Sequence, residues 1–230
     1  MTNNSINFEA IKKIASALNE LNEQVVYVGG AVVSLYINDP AADDVRPTKD
    51  IDISLSVASL GELEEMRLKL VARDFIQTAE DNVICRFRYE EVKVDVMNTQ
   101  SIGWAPANPW FYAGFLKRQL MKAGDKEIYI LPLQYFLATK FTAYNNRGNN
   151  NPVTSHDFED IIYILDNRID IAEELNKMPD DVEPFLKEEF KKILSDKAKQ
   201  EAIEGNLSYS NRDNRFKQII GSLQKIVNRI

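Results

Sequence analysis

The chain has 230 residues, with 28 lysines and arginines, 35 aspartates and glutamates, one histidine and one cysteine, which gives a formal net charge of −7. This length is sufficient for one large domain or two small ones. The single cysteine excludes an intramolecular disulfide bond, and the single histidine excludes a metal site with several imidazole ligands. A bound metal ion would therefore need carboxylate ligands, which favour a hard cation such as Mg²⁺.

Features of membrane and secreted proteins are missing from the sequence. There is no run of about 18 apolar residues that could span a bilayer, and the first residues do not resemble a signal peptide. We therefore expect a cytoplasmic protein without a membrane partner. The negative net charge argues against a protein that coats nucleic acid, although it leaves room for a local basic groove.

Hydrophobic periodicity predicts a mixture of helices and strands in the first part of the chain and only helices in the second. The elements predicted in the first part are helix 7–22, strand 25–28, helix 31–37, strand 50–55, helix 60–73, an antiparallel meander of strands 75–78, 83–89 and 92–97, and strand 127–131. The later helices are predicted at 132–146, 155–167, 169–177, 182–204 and 212–230. The fold class is therefore α+β, with a small mixed sheet and helices at 1–131 and a helical domain at 132–230.

Three aspartates carry the clearest chemical pattern. Asp50 and Asp52 are two residues apart on a predicted strand, so their carboxylates lie on the same face. Asp95 lies in another alternating strand, and an adjacent position would bring it to the same edge of the sheet. Ionised carboxylates this close repel one another unless a cation neutralises them. The pattern predicts a site for one or two Mg²⁺ ions.

Gly29 and Gly30 lie between a predicted strand and a helix, and Ser34 lies one turn into that helix. Glycines at this position allow the backbone to approach a ligand, and the start of the helix offers N–H groups to an anion. A Gly-Gly pair alone is more often a tight turn, and an Asp-x-Asp pair alone is more often solvated surface. The two patterns in this order, with a third acidic strand position, are more specific.

The order of Gly-Gly, helix, Asp-x-Asp and a later strand Asp resembles the polymerase-β-like nucleotidyltransferase superfamily. The segment Arg46-Pro47-Thr48-Lys49-Asp50-Ile51-Asp52 is most similar to the AbiEii/AbiGii-type toxins, in which Arg-x-Thr-x-Asp-[Ile/Val]-Asp is typical. A later helical lysine and a downstream Asp-containing helix also occur in that group, and Lys140 and Asp157 match them. The resemblance covers residues 25–165.

The resemblance implies roles for twelve residues. Asp50, Asp52 and Asp95 would be the catalytic and metal-binding carboxylates. The residues expected to bind the nucleotide are Gly29, Gly30, Ser34, Lys140 and Asp157, and those expected to contact a substrate are Arg46, Thr48, Arg147 and Asp160.

Several of these residues also have structural interpretations. Lys140 could simply extend to solvent, and Asp157 could favour the N-terminus of its helix after the predicted cap Ser155. Arg46 could pair with a nearby aspartate, and Arg147 could cap a helix. We expect structural roles for the remaining candidates, His156 and Cys85.

The resemblance also implies a function. It is the Mg²⁺-dependent transfer of a nucleoside monophosphate from a triphosphate such as ATP to an acceptor hydroxyl, with an RNA end such as that of tRNA as the acceptor and a cognate antitoxin as a protein partner. Nucleotidylation of a small aminoglycoside-type molecule or of a protein is the alternative within enzymes. A non-catalytic module that binds a nucleotide or a partner is the alternative from another class.

Overall fold

Six strands form one mixed sheet in the computed structural model, which describes residues 3–48, 50–147 and 151–228. Lys49 and the end of the predicted C-terminal helix, 229–230, lie outside the described residues. In chain order the strands are β1 (Val26–Val28), β2 (Asp50–Leu55), β3 (Arg86–Tyr89), β4 (Val92–Asn98), β5 (Gln119–Ala123) and β6 (Lys126–Ile130). Their order across the sheet is β3-β4-β2-β1-β6-β5.

The centre of the sheet fixes the register of the acidic strands. β2 runs antiparallel to β1 and parallel to β4, which places Asp52 opposite both Val28 and Asp95. β3 and β4 form an antiparallel hairpin at one edge, with Arg86 opposite Asp95. Apolar side chains alternate with the acidic ones on β2, so Ile51 and Ile53 are buried while Asp50 and Asp52 remain partly accessible.

The chain divides into two compact units: Met1–Leu35 with Asp44–Phe136, and Tyr36–Asp43 with Leu137–Ile230. The first unit contains the sheet, α1 (Asn3–Leu18), α2 (Leu60–Val71) and α3 (Phe111–Leu116). It also contains a 3₁₀ helix at Asn19–Gln24 and all but the last residue of a second one at Gly30–Tyr36. α2 begins where the sequence supplies a cap, because Ser59 Oγ accepts a hydrogen bond from the Glu62 N–H.

The second unit is helical. Its helices are α4 (Leu133–Asn146, from Leu137 onward), α5 (His156–Asn167), α6 (Ile171–Leu175), α7 (Glu183–Ser195), α8 (Lys197–Asn206) and α9 (Arg212–Val227). Aromatic residues contribute to its core, where Phe141 of α4 meets Phe190 of α7 edge to face with ring centroids 5.7 Å apart. Over the described residues, none of the helices combines the length and apolarity needed to cross a bilayer.

The α+β prediction is confirmed, but several elements differ. Residues 75–78 form no strand of the sheet: Ile76 makes only an isolated bridge to Arg88, so the predicted three-stranded meander is a two-stranded hairpin. β5 and α3 are not among the predicted elements. The predicted helix 182–204 is two helices, because the Asp196 carboxylate accepts hydrogen bonds from the first N–H groups of α8. The helix after Gly29 is 3₁₀.

The buried face of β2 yields a stability prediction. Ile53 is 0% exposed, so Ile53→Ala removes packed methyl groups and is expected to lower the free energy of unfolding by about 2–5 kcal/mol. Ile84→Ala is the matched control, because Ile84 is 71% exposed and its truncation leaves no cavity. Urea unfolding measures the free energy of unfolding of both variants. Equal losses would contradict the position of β2 in the core.

Candidate active site

Two neighbouring parallel strands bring the three predicted aspartates to one face of the sheet. Asp52 of β2 is the register partner of Asp95 of β4, and Asp50 lies two residues before Asp52 on the same face. Asp95 is 9% exposed. Carboxylates crowded in this way repel each other, so the arrangement requires a compensating positive charge.

That charge is supplied by Arg86 of β3, which the sequence analysis did not single out. Its Nε and Nη2 donate to the two oxygens of Asp95 at 2.7 Å each, and Nη2 also donates to Asp50 Oδ2 at 3.2 Å. The two bonds to Asp95 form the planar fork-to-carboxylate geometry that gives strong pairs. Hydrogen bonding to Asp95 raises the pKa of Arg86 further above its ordinary value, so the guanidinium remains charged.

The sequence did contain a signal for Arg86. Arg86 and Arg88 alternate with the buried Phe87, so both arginines lie on the face that Asp95 shares. The turn at Glu90 and Glu91 then sets the pairing of β3 with β4. Only that register makes Arg86, and not Arg88, the neighbour of Asp95.

The glycine pair packs directly against the side of the sheet that bears Asp50, Asp52 and Asp95, which we call the acidic face. Gly29 has a φ of +73°, and a Cβ built on it would lie 1.8 Å from Asp52 Oδ2. Neither the backbone conformation nor the space therefore accepts a side chain. A Cβ on Gly30 would lie 2.7 Å from Nη2 of Arg46, so this arginine lies beside the second glycine.

Ser34 lies in the 3₁₀ helix that begins at Gly30. Its Oγ is buried, and no group among the described residues forms a hydrogen bond with it. Buried hydroxyls nearly always have a partner, so this oxygen is a candidate for a bond to a ligand or a water molecule.

The loop before β2 is fixed to α1 by Asn7, a second residue that the sequence analysis did not identify. Its side chain donates to the Arg46 carbonyl at 3.4 Å and accepts from the Thr48 N–H at 3.2 Å. Thr48 Oγ1 in turn donates to the Asp50 carbonyl at 2.5 Å. The contacts found for Thr48 thus position the backbone of an acidic residue.

A cavity of about 820 Å³ lies beside Asp50, between α1 and the starts of β2 and β4. Its charged lining includes Lys12 and Lys13, each of which is already paired with acidic side chains: Lys12 with Glu9 at 3.1 Å and Lys13 with Glu91 at 2.6 Å. The volume lies within the range of small-molecule sites.

The later sequence candidates form a separate charged cluster within the second unit. Lys140 of α4 is 5% exposed, and its Nζ lies 3.2 Å from Asp157 Oδ1 and 2.7 Å from Asp160 Oδ2 on α5. Arg147 Nη1 lies 3.0 Å from Asp157 Oδ2. Lys140 is therefore not a solvent-exposed lysine, and the N-cap of α5 is Ser155, whose Oγ accepts from the Phe158 N–H.

The donor set of the acidic face fits a hard divalent cation, because it consists of carboxylate oxygens only. The expected cage of three carboxylates is nevertheless not formed: in the described part of the chain, no three carboxylate, imidazole or thiol side chains are grouped to hold a metal ion. The physical reason lies in Arg86, which bonds both oxygens of Asp95 and one of Asp50.

The remaining histidine and cysteine have local roles. His156 is 73% exposed at its side chain, and its Nδ1 lies 3.0 Å from Oε2 of Glu159. Cys85 is buried, as expected for a packing residue. Its burial, followed by the nearby charge of Asp95, raises the pKa of the thiol to about 11, so the thiol stays protonated and unreactive at neutral pH.

Comparisons with known proteins identify the family of the chain. The solved structure of an antigenic nucleotidyltransferase-like protein from Paracoccidioides brasiliensis is 19% identical, with a TM-score of 0.49 over 90% of this chain and 96% of that one. A search among curated proteins gives no match. The family model for the nucleotidyl transferase AbiEii toxin of type IV toxin–antitoxin systems matches residues 14–223. The chain therefore belongs to the AbiEii toxin family and is a nucleotidyltransferase.

Proposed function

We propose that the enzyme transfers a nucleoside monophosphate from a triphosphate to the hydroxyl of an acceptor, in a reaction that depends on Mg²⁺. The observation that carries this proposal is the register of β2 and β4. It makes Asp52 and Asp95 neighbours on one face, next to the backbone of Gly29. When bound, Mg²⁺ would supply charge neutralisation on the triphosphate and lower the pKa of the attacking hydroxyl.

The chain's own residues bind and orient the reactants in this proposal. Asp50, Asp52 and Asp95 would hold the metal ion, and Asp95 would also help to deprotonate the acceptor hydroxyl. The phosphates lie against the N–H groups of Gly29 and Gly30, with the buried Ser34 hydroxyl as a further donor. The acceptor oxygen bonds to the α-phosphorus and gives up its proton to Asp95, the bond from that phosphorus to the bridging oxygen breaks, and pyrophosphate leaves.

Arg46 and the second-unit cluster are proposed to contact the nucleotide or the acceptor. Arg46 is proposed as a phosphate contact because its guanidinium lies beside Gly30, and Thr48 is proposed as a substrate contact in the same loop. Lys140 and Asp157 are proposed to bind the nucleotide, with Arg147 and Asp160 at the acceptor. Support comes from Arg147, whose side chain is 73% exposed and which pairs with Asp157, so a phosphate can reach one cation of the cluster. Lys140 itself is buried between Asp157 and Asp160.

We propose an RNA end, such as that of tRNA, as the acceptor and a cognate antitoxin as the protein partner, both acting in the cytoplasm. Support comes from the toxin–antitoxin family to which the chain belongs. The net charge of −7 is also compatible with a small cationic acceptor of the aminoglycoside type, and a protein hydroxyl remains the third choice. The same transfer assay distinguishes these acceptors.

Transfer of label from an α-³²P nucleoside triphosphate tests the proposed chemistry and the acceptor together. The wild-type enzyme is expected to label a total tRNA fraction and not an aminoglycoside panel or itself. Asp52→Asn is expected to lower transfer by at least about 100-fold, because it removes a charge at the proposed metal site. Growth arrest on expression should be relieved by the same substitution.

The matched control for that experiment is Asp74→Asn. Asp74 is exposed and has a φ of +65°, which asparagine also accepts, so its transfer should equal that of the wild type. Persistence of labelling in Asp52→Asn would contradict the proposed site. Labelling of aminoglycosides and not of RNA would show that the acceptor is a small molecule and contradict the proposed RNA acceptor.

The close approach of Gly29 to Asp52 predicts that a side chain at position 29 lowers both transfer activity and stability. Gly29→Ala places a methyl group where the Asp52 carboxylate lies and strains a positive φ, so we expect transfer to fall at least about tenfold and stability to fall by about 1–3 kcal/mol. Gly61→Ala is the control, because its new methyl group would lie 3.9 Å from its nearest neighbour, Ser59 Oγ. Wild-type transfer by Gly29→Ala would contradict a role for this backbone.

Removal of the buried ammonium group gives a third prediction. Lys140→Met leaves Asp157 and Asp160 buried without this cation, so the free energy of unfolding should fall by about 3–5 kcal/mol. Lys177→Met is the control: this lysine is 72% exposed in its pair with Glu174, and its loss should cost less than about 1 kcal/mol. Similar denaturation midpoints for both variants would argue against a buried ion cluster.

A further inference from the structure

Arg86 occupies the place where the proposed function requires a divalent cation. Its guanidinium joins Asp95 and Asp50, two of the three carboxylates proposed as metal ligands, with bonds of 2.7, 2.7 and 3.2 Å. The Arg86 side chain is 16% exposed and that of Asp95 is 13% exposed, so water screens this pair only weakly.

We propose that Arg86 is a built-in counter-cation, which neutralises the acidic face before metal binds and must be displaced for metal to bind. The inference rests on the proposed function, because it takes Asp50 and Asp95 as metal ligands. Arg86 is a positioning residue in this proposal: it sets the affinity and selectivity of the site for divalent ions through the two aspartates.

The chemistry of arginine makes this competition direct. Arginine does not lose its proton at any physiological pH, so deprotonation of Arg86 cannot release the carboxylates. Only another cation that bonds the same oxygens can do so. A hard divalent ion takes carboxylate oxygens at about 2.0–2.6 Å, which would bring it close to the positive guanidinium that already bonds Asp95 and Asp50. The two cations repel each other and therefore compete for the same carboxylates.

The position of Arg86 in the sheet allows such a displacement. β3 is the edge strand, next to β4 only. Among the described residues no strand lies on the far side of β3, so the guanidinium has room to move outward once its bonds to Asp95 and Asp50 are broken. The neighbouring Arg88 differs in this respect, because its guanidinium bonds Asp81 at 2.7 and 3.0 Å, away from the proposed metal ligands.

Binding of Mn²⁺ to the full-length protein without nucleotide tests the proposal, since free Mn²⁺ can be counted by electron paramagnetic resonance. Arg86→Gln removes the competing charge and is expected to tighten Mn²⁺ binding at least about tenfold, in line with the loss of a charge-assisted pair. Addition of Asp95→Asn to Arg86→Gln should abolish the gain. Mn²⁺ should also raise the melting temperature of Arg86→Gln more than that of the wild type.

Arg88→Gln is the matched control, because it removes a bidentate arginine–carboxylate pair from the same strand and face. Its Mn²⁺ affinity should equal that of the wild type. Arg86→Lys keeps the charge without the planar fork and is expected to tighten binding several-fold; it serves as the second variant if Arg86→Gln does not fold.

The outcomes separate this inference from the function on which it rests. Equal Mn²⁺ binding by the wild type, Arg86→Gln and Arg86→Lys would overturn the role of Arg86 and leave the metal site standing. Equal tightening by Arg88→Gln would overturn it too, because the effect would then be one of general surface charge. Absence of Mn²⁺ binding in every variant would count against the proposed function and the inference together.

Discussion

Repulsion between carboxylates on neighbouring strands is the constraint on which the acidic face depends. The parallel pairing of β2 and β4 fixes Asp52 opposite Asp95, and the antiparallel hairpin of β3 and β4 delivers Arg86 to the same place. Without a positive charge, the ionised carboxylates of Asp50 and Asp95, which bond the same guanidinium, would repel each other and oppose folding. The sheet therefore combines a destabilising cluster with the cation that makes the cluster tolerable, a combination typical of sites whose charge has a chemical use.

The surroundings of the acidic face hold the backbone next to the carboxylates in place. Gly29 turns beside Asp52 in a conformation that other residues rarely adopt, and Thr48 bonds both the N–H and the carbonyl of Asp50. Asn7, 2% exposed, fastens that loop to α1. Contacts from three separate segments thus fix the backbone that bears the carboxylates, which favours a preorganised site.

Sequence periodicity predicted the parts of the site that lie within single strands. Asp50 and Asp52 follow from alternation, and Gly29 from its place after a β-branched run. Alternation within one strand does not by itself identify Arg86 or Asn7. The role of Arg86 depends on the cross-strand register, and that of Asn7 on a loop contact between residues far apart in the chain. The shared face of Asp157 and Asp160 followed from helical spacing, but the ion pairs to Lys140 depend on how two helices pack.

The path of the chain has a consequence for dissection of the protein. Residues 36–43 leave the sheet-containing unit and join the helical one, where Asn38 bonds Asn167 and Ile169 and the Tyr36 carbonyl accepts from Arg168. The helical unit is therefore discontinuous along the polypeptide. A fragment ending at Phe136 would contain residues 36–43 without the helices that they contact. No single cleavage would yield both units whole. Separate expression of the halves calls for a redesigned connection between Leu35 and Asp44.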